Sequence, residues 1–313
     1  MEATFASIVF SASPLVYAAV GETIGERAGV VNLSLEGTMM LSALTGFATA
    51  LLSHNVVVGF LAAMGVGAVM AAIVAFASIE LRLNQIAVGF VLALLGIALS
   101  TFIGDGFTGR QGESVPHMGI AGLSKIPFLG PVLFDQDLMV YGSYVAIIVA
   151  AVFLFGTRRG LELQGVGERP EAAFARGIPV NRLRYLYTMV GGALAGAGGA
   201  AYSLDVILGW RAGLTQNFGW IALAIVIFGG WNPVRAAVGA YLFGALLQVA
   251  LKLQPVFPRV SLVLPFMPFV LMILILVLIY LPAFRRAADR HPLLRRVVAG
   301  DPPSALGTAF SPE

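Results

Sequence analysis

The stretch RRGLELQGVGERPEAAFARGIPVNRLR, residues Arg158–Arg184, is a basic, polar loop between two long apolar runs. It contains six arginines and the signals of a short helix. Pro170 suits the first helical position, and Gly177, followed by Ile-Pro, is a stop signal about two turns later. A small helix in such a basic loop is typical of an element that binds a soluble partner.

The composition predicts that the rest of the chain lies in a membrane. Hydrophobic residues make up 58% of the sequence, charged residues 11%, and the mean hydropathy is +0.90. A soluble domain has roughly 25% charged residues, and a helix needs about 20 apolar residues to cross a bilayer. The sequence therefore predicts an all-α polytopic membrane protein with about nine spans: Ala3–Gly21, Leu33–Leu52, Val56–Ala77, Ile86–Ile103, Leu138–Gly156, Tyr185–Leu204, Phe218–Trp231, Ala236–Leu251 and Ser261–Pro282.

The distribution of basic residues predicts the orientation. Cytoplasmic loops of membrane proteins are enriched in Lys and Arg. If the basic loop is cytoplasmic and nine spans alternate, 14 of the 19 basic residues fall on the cytoplasmic side. The remaining five are Arg110, Lys125, Arg211, Lys252 and Arg259. This split predicts an outer N-terminus and a cytoplasmic C-terminus.

The domain organisation follows from these spans. Residues 1–283 form one transmembrane domain, in which residues 158–184 are a cytoplasmic loop. Residues 284–313 form a basic, then Pro-rich cytoplasmic tail that we expect to be partly disordered, as chain ends often are. Ala3–Gly21 lacks the basic region of a signal peptide and is kept as a span.

Several classes of function are disfavoured. The chain has no cysteine and therefore no disulfide or thiolate site. Its three histidines, His54, His117 and His291, lie in separate predicted connections, so we expect neither a metal site nor an intramembrane nucleophile–base pair. A phosphate-binding loop is absent, so any ATP is expected on another chain. The arginines lie between spans, where they orient the protein, and nucleic acid is not an expected partner.

Two segments resemble interrupted helices. Gly21–Gly37, GETIGERAGVVNLSLEG, is polar at both ends, and Phe218–Pro233, FGWIALAIVIFGGWNP, is short for a span. Irregular backbone at membrane depth is tolerated where protein or a water-filled cavity satisfies it, and interruptions in both halves of a chain point to a transport pathway. The alternative is that both segments are interfacial loops at the cytoplasmic surface.

The densest polar cluster near a span comprises Glu22, Glu26, Arg27, Asn32 and Glu36. Ionisable groups in a membrane are costly and usually pair with one another or face a cavity. Arg27 is expected to neutralise Glu22 or Glu26, and Glu36 to lie inside the protein. The cluster is interpreted either as a structural ion pair or as a contact with a hydroxylated substrate.

Glycines crowd one span, with a Gly192-xxx-Gly196 spacing that lets helix backbones approach closely. Ordinary bundle packing and sliding between two states both account for this pattern, and the sequence does not separate them.

Three motifs in order resemble the permease subunits of bacterial ATP-binding cassette (ABC) importers for nucleosides, which are related to ribose-type and branched-chain amino acid permeases. They are GERAGVVNLSLEGTMM from Gly25, Glu171-Ala172-Ala173-x3-Gly177, and FGWIALAIVIFGGWNPVRAAVGAYLFGA from Phe218. The resemblance covers roughly Leu15–Leu281. Ribose-type permeases tend to carry Asp at the position of Asn32 and lack the Glu-Gly pair. The chain departs from the fuller pattern, because no Leu-Pro follows Gly177 at the usual distance.

The resemblance implies a type II importer-like permease that forms half of a translocation pathway. Its short loop helix would be a coupling helix whose small residues fit a groove of the ATPase. The residues implied in coupling are Arg169, Glu171, Ala172, Ala173 and Gly177. The residues implied in the substrate pathway are Glu22, Arg27, Asn32, Glu36, Trp220 and Asn232.

The implied partners are an ABC ATPase subunit, a second permease chain, an extracytoplasmic substrate-binding protein and the lipid bilayer of a bacterial inner membrane. No cofactor is expected on this chain, because ATP and Mg²⁺ would be bound by the ATPase. Branched-chain amino acid import is the alternative substrate class. An ion-coupled secondary transporter is the alternative of another class, and it leaves the loop helix without a role.

Overall fold

The apolar runs fold into helices in a computed structural model, which describes residues 2–257, 263–282, 284, 286 and 300–311. Each predicted span coincides with a helix, although residues 261–262 of the last one lie outside the described residues. The α-helices are α1 Glu2–Arg27, α2 Leu35–Ser53, α3 Val56–Ile79, α4 Gln85–Gly104, α5 Leu138–Gly156, α6 Arg158–Glu168, α7 Pro170–Ala175, α8 Val180–Ala201, α9 Phe218–Phe228, α10 Pro233–Leu253 and α11 Met267–Tyr280.

The structure confirms an all-α membrane fold but not the count of nine spans. Within the described residues, six helices are long and apolar enough to cross a bilayer, namely α1 to α5 and α10. Helices α9 and α11 are apolar but shorter. Helix α8 has 22 residues but carries Arg182 and Arg184 in its first two turns, and these charges lower its apolar character.

Short irregular elements join these helices. A two-stranded antiparallel ribbon pairs β1, His117–Gly119, with β2, Asp135–Asp137, and is a small departure from an all-α fold. Single turns of 3₁₀-helix are Asp105–Phe107, Leu123–Lys125 and Leu264–Phe266, and π-helical turns are Gly130–Phe134 and Tyr202–Val206.

The connections gather at two ends of the bundle. One end, here called the loop end, joins the α1–α2, α3–α4 and α9–α10 turns with α6, α7 and residues 300–311. Contacts there include Arg27 with Trp231 and Arg82 with Ser311. The opposite end, here called the cap end, carries residues 105–137, whose Phe128 ring lies 5.5 Å from that of Phe5 at the start of α1.

Helix α8 lies at the centre of the bundle because its small residues allow close backbone contact. A Cβ added to Gly192 would lie 2.3 Å from the carbonyl oxygen of Gly67 in α3, and one added to Gly196 would lie 2.3 Å from that of Ala63. Such contacts exclude any side chain at these positions. The spacing predicted to bring helices together does so.

The end of the chain differs from the prediction. We expected the tail to be disordered at its end, but residues 300–311 fold against the loop end. Ala305 N–H donates to the carbonyl of Gly167 at 2.9 Å, and Gly307 N–H donates to that of Gly29 at 3.1 Å. The physical reason is that these contacts are main-chain hydrogen bonds to the end of α6 and to the α1–α2 turn, which the tail's own composition does not encode.

Candidate functional site: the loop helix and the buried polar cluster

Helix α7 has the ends that the sequence predicts. Pro170 occupies its first turn, and Gly177 has a φ of +81°, the left-handed region that favours glycine. Gly177 N–H donates to the carbonyl of Phe174 at 2.8 Å, and Ile178 N–H donates to that of Ala173 at 3.1 Å. These bonds close the helix after six residues and direct the chain back toward α8.

The two alanines that we predicted to contact an ATPase differ in exposure, since Ala172 is exposed and Ala173 is buried. Ala173 is 5% exposed and packs in a small apolar cluster with Val166, Val180 and Phe310 of its own chain. Phe174, by contrast, is 46% exposed. Ala173 is thus covered by its own chain, and its predicted contact with an ATPase stays a prediction. A helix of six residues with alanines on both its inner and its outer face is too short to show a periodicity of apolar residues. The sequence therefore does not indicate which face is buried.

A cleft of about 600 Å³ lies between α6 and α7 at the loop end. Side chains of both charge signs line the cleft. Arg158, Arg169 and Arg176 are basic, and Glu162 and Glu168 are acidic. Exposed Ala172 also lines it. The cleft and the exposed side of α7 together form a surface that can receive a protruding, charged segment of a partner protein.

Helix α6 escaped the sequence analysis and forms the other wall of this cleft. Thr157 caps it, since its Oγ1 accepts a hydrogen bond from Gly160 N–H at 3.0 Å. Thr three residues before a glycine within an arginine-rich run is a weak cap signal. The sequence signals available for this helix were the cap residue Thr157 and the apolar residues Leu163 and Val166, which are buried in the structure.

The buried acids near the α1–α2 turn have partners other than Arg27. The carboxylate of Glu22 accepts a hydrogen bond from Asn32 N–H at 3.0 Å, and that of Glu26 accepts one from the indole N–H of Trp231. Arg27 Nε donates to the carbonyl oxygen of Trp231 at 2.8 Å. The predicted ion pair between Arg27 and Glu22 or Glu26 is not among the ion pairs of the described residues.

The two interrupted segments meet through these bonds. Helix α1 continues to Arg27, so the first interruption is the turn of residues 28–34. The second is the turn after α9, where Gly230 and Trp231 have φ values of +57° and +54°. Trp231 joins the two turns, and sequence reasoning gave it no role.

Glu36 caps a half-length helix from a distant part of the chain. One of its carboxylate oxygens accepts a hydrogen bond from Asn217 N–H at 2.6 Å, and the other accepts one from Gly219 N–H at 2.8 Å. Helix α9 has 11 residues and is about 16 Å long, roughly half of the hydrocarbon thickness. Two of the N–H groups at its N-terminal end, where no helical partner is available, are satisfied by this buried carboxylate.

The remaining predicted pathway residues also have structural contacts. Asn32 Oδ1 accepts a hydrogen bond from Ser34 N–H at 3.2 Å, and Asn232 Oδ1 accepts one from Val234 N–H at 3.0 Å at the start of α10. The half-buried Trp220 ring lies 6.2 Å from that of Phe90. Among the predicted pathway residues the structure pairs Glu22 with Asn32, and the substrate contact itself stays a prediction.

A second buried acidic pair lies toward the cap end and was not predicted. The side chains of Asp137 and Asp205 are both buried, and their carboxyl groups lie close enough to interact electrostatically. Tyr17 lies nearby and donates its hydroxyl hydrogen to the carbonyl of Met139 at 2.8 Å. Sequence spacing could not reveal this pair, because 68 residues separate the two acids.

Several known proteins similar to this chain are ABC transporter permeases. A putative glucose ABC transporter permease protein of Haloferax volcanii is 41% identical over 250 residues, 79% of this chain and 76% of that protein. The guanosine ABC transporter permease protein NupQ of Bacillus subtilis is 34% identical over 288 residues, 87% of this chain and 89% of that protein. The nucleoside ABC transporter permease protein NupC of Lactococcus lactis is 33% identical, covering 78% and 81% of the two chains.

The fold is shared with a solved transporter. The structure described as an inward-facing conformation of a putative metal-chelate type ABC transporter aligns with a TM-score of 0.51 and 17% identity, covering 87% of this chain and 84% of that one. Residues 4–276 match the family described as the branched-chain amino acid transport system, permease component. The chain therefore belongs to this family of ABC transporter permeases and is a multi-pass membrane protein.

Proposed function

We propose that this permease imports a nucleoside and forms half of the translocation pathway, with a second permease chain as the other half. The observation that carries the proposal is α7, a short helix that the chain itself holds in place while its aromatic Phe174 stays 46% exposed. An exposed aromatic on a rigid support is typical of an anchor at a protein interface. The partner that suits this surface is an ABC ATPase, which would bind ATP and Mg²⁺ and carry out hydrolysis.

The coupling surface consists of the exposed residues of α7 and the cleft beside it. Arg169, Glu171, Ala172 and Phe174 are all exposed and lie on one short segment. Arg169 and Glu171 supply charges that fix orientation, while Phe174 supplies apolar area. This chain would contribute the translocation path and the helix on which the ATPase acts, and no bond-making chemistry.

The orientation that we propose places the loop end in the cytoplasm. Alternating spans predicted that the turns near Arg27, Arg82 and Arg235 lie on one side with the basic loop, and their contacts at the loop end support this grouping. The arginines then obey the positive-inside rule. The N-terminus would lie outside a bacterial inner membrane, where an extracytoplasmic binding protein would deliver the substrate to the cap end.

The substrate class rests on the relatives. Two of them are named as guanosine and nucleoside permeases, at 34% and 33% identity. A sugar is the second candidate, because the relative with 41% identity is named as a putative glucose permease. A nucleoside contains a sugar ring, so a path that accepts ring hydroxyls suits both classes.

Uptake by a strain that lacks this chain tests the substrate class. We expect deletion to lower uptake of radiolabelled guanosine and to leave glucose and leucine uptake unchanged, with full recovery when the chain is restored. Loss of glucose uptake alone would favour the sugar, and loss of leucine uptake alone would favour branched-chain amino acids.

A further inference from the structure

Residues 300–311, here called the C-terminal strap, contact most elements of the loop end. The strap runs from the α9–α10 turn across the end of α6 to the inner side of α7. At its start the backbone touches that of another turn, since a Cβ added to Gly300 would lie 2.4 Å from the Cα of Gly230. A segment with this path connects elements that lie far apart in the chain.

The middle of the strap is bonded to the end of α6 and to the α1–α2 turn. The carboxylate of Glu168 accepts hydrogen bonds from Ser304 N–H at 3.2 Å and from the Ser304 hydroxyl at 2.8 Å. Ala305 N–H donates to Gly167, and Gly307 N–H donates to Gly29. These bonds hold two distant parts of the chain to one short segment.

The end of the strap supports α7 from behind. The side chain of Phe310 is 6% exposed and completes the apolar cluster that buries Ala173. Its ring centroid lies 5.7 Å from that of Phe174. Since α7 has only six residues, this buried aromatic ring is a large part of what fixes its position.

Two arginines from the bundle complete the attachment. Arg184 in α8 is 1% exposed, and its Nη1 donates to the carbonyl oxygen of Thr308 at 2.9 Å. Arg82, in the α3–α4 turn, donates to the hydroxyl of Ser311 at 2.7 Å. A buried guanidinium is costly without acceptors, so Arg184 favours the attached strap.

We propose that the C-terminal strap is a tie that joins α7 to the turns of the loop end, so that a displacement of α7 is passed to the ends of α1, α3, α8 and α9. This inference rests on the proposed coupling role of α7. A strap that acted as an inhibitory lid would cover the outer face of α7. Instead the strap lies behind α7 and leaves Phe174 exposed.

A matched pair of substitutions in the strap tests the tie. Phe310→Asp places a charge in the apolar cluster, whereas Ala309→Asp places the same charge at the neighbouring exposed position. In proteoliposomes with the complete transporter, we expect Phe310→Asp to lower the substrate carried per ATP hydrolysed by about tenfold, a typical size for a coupling effect. Ala309→Asp is expected to match the wild type.

The ratio of transport to hydrolysis separates the outcomes. A wild-type ratio in Phe310→Asp, or an equal fall of uptake and hydrolysis, would contradict the tie. If the wild-type complex showed no ATP-dependent uptake at all, the proposed function would fail, independently of the strap.

A cross-link provides a second test that does not depend on the stability of Phe310→Asp. The chain has no cysteine, so Arg82→Cys with Ser311→Cys, two positions that are in contact and lie outside the cleft, can be joined by a short bifunctional maleimide. We expect the cross-linked protein to keep the uptake of the unlinked double variant, because a tie moves together with the end of α3. Loss of uptake on cross-linking, with each single-cysteine variant unaffected, would show that the strap must detach and would overturn the proposal.

Discussion

At the residue scale, the two adjacent alanines of α7 have opposite environments. Ala173 is buried against its own chain, while Ala172 is exposed beside the cleft. Pro170 and Gly177 were sufficient to predict the ends of the helix, because each acts locally on the backbone. Which alanine faces inward depends on packing against Val166 and Phe310. Phe310 is far from α7 in the sequence, and no sequence pattern links Val166 to α7.

Tryptophan at each of these positions separates folding from docking. We expect Ala173→Trp to overfill the internal cluster and to destabilise the protein by about 1–3 kcal/mol, seen as a lower melting temperature in detergent. Ala172→Trp is expected to keep the wild-type melting temperature but to prevent co-purification of the ATPase. Normal ATPase binding by Ala172→Trp would contradict the assigned docking surface.

Glu36 allows a test between a structural and a substrate role. Glu36→Ala leaves the N–H groups of Asn217 and Gly219 without their acceptor, which costs about 1–3 kcal/mol for each buried unsatisfied group. We expect a clear loss of thermal stability, with the exposed Asp105→Ala as control. A variant that lost uptake at unchanged stability would instead assign Glu36 to the substrate.

At the element scale, α9 shows what the sequence could and could not predict. Its shortness and the Gly-Gly-Trp-Asn-Pro turn after it predicted an interrupted helix, which the structure contains. The capping of α9 by Glu36 was not predictable, because 181 residues separate Glu36 from Asn217. Local signals define where elements begin and end, whereas their partners follow from tertiary packing.

The close contact of α9 with α2 predicts a position-specific effect of alanine. A Cβ added to Gly219 would lie 2.3 Å from the backbone N of Glu36, whereas one added to Gly65 in α3 meets nothing within 4 Å. We therefore expect Gly219→Ala to lower stability and uptake. Gly65→Ala should be neutral or stabilising by up to about 1 kcal/mol. Equal behaviour of the two variants in thermal unfolding would contradict this packing.

At the scale of the whole molecule, alternating spans and the charge distribution predicted which turns share an end. The contacts of Arg27 and Arg82 at the loop end agree with that grouping. Five of the counted basic residues, Arg259, Arg285, Arg290, Arg295 and Arg296, lie outside the described residues. The strap was not predicted, because small residues and prolines in a chain end are more often typical of disorder.

Labelling with an impermeant thiol reagent tests the orientation. Arg176→Cys and Lys125→Cys each place one cysteine at an exposed basic position, at the loop end and the cap end respectively. In intact cells we expect position 125 to react and position 176 to react only after the membrane is opened. Labelling of position 176 from outside would reverse the proposed topology.

The central claim is that this chain transports a nucleoside because an attached ATPase acts on α7. The most direct measurement is uptake of radiolabelled guanosine into proteoliposomes that contain the complex purified through this chain, with the binding protein supplied outside. We predict that uptake requires ATP on the side of the membrane where the ATPase lies. This uptake persists without any ion gradient and is lost in Ala172→Trp. Uptake driven by an ion gradient without ATP, and unchanged in Ala172→Trp, would contradict the account.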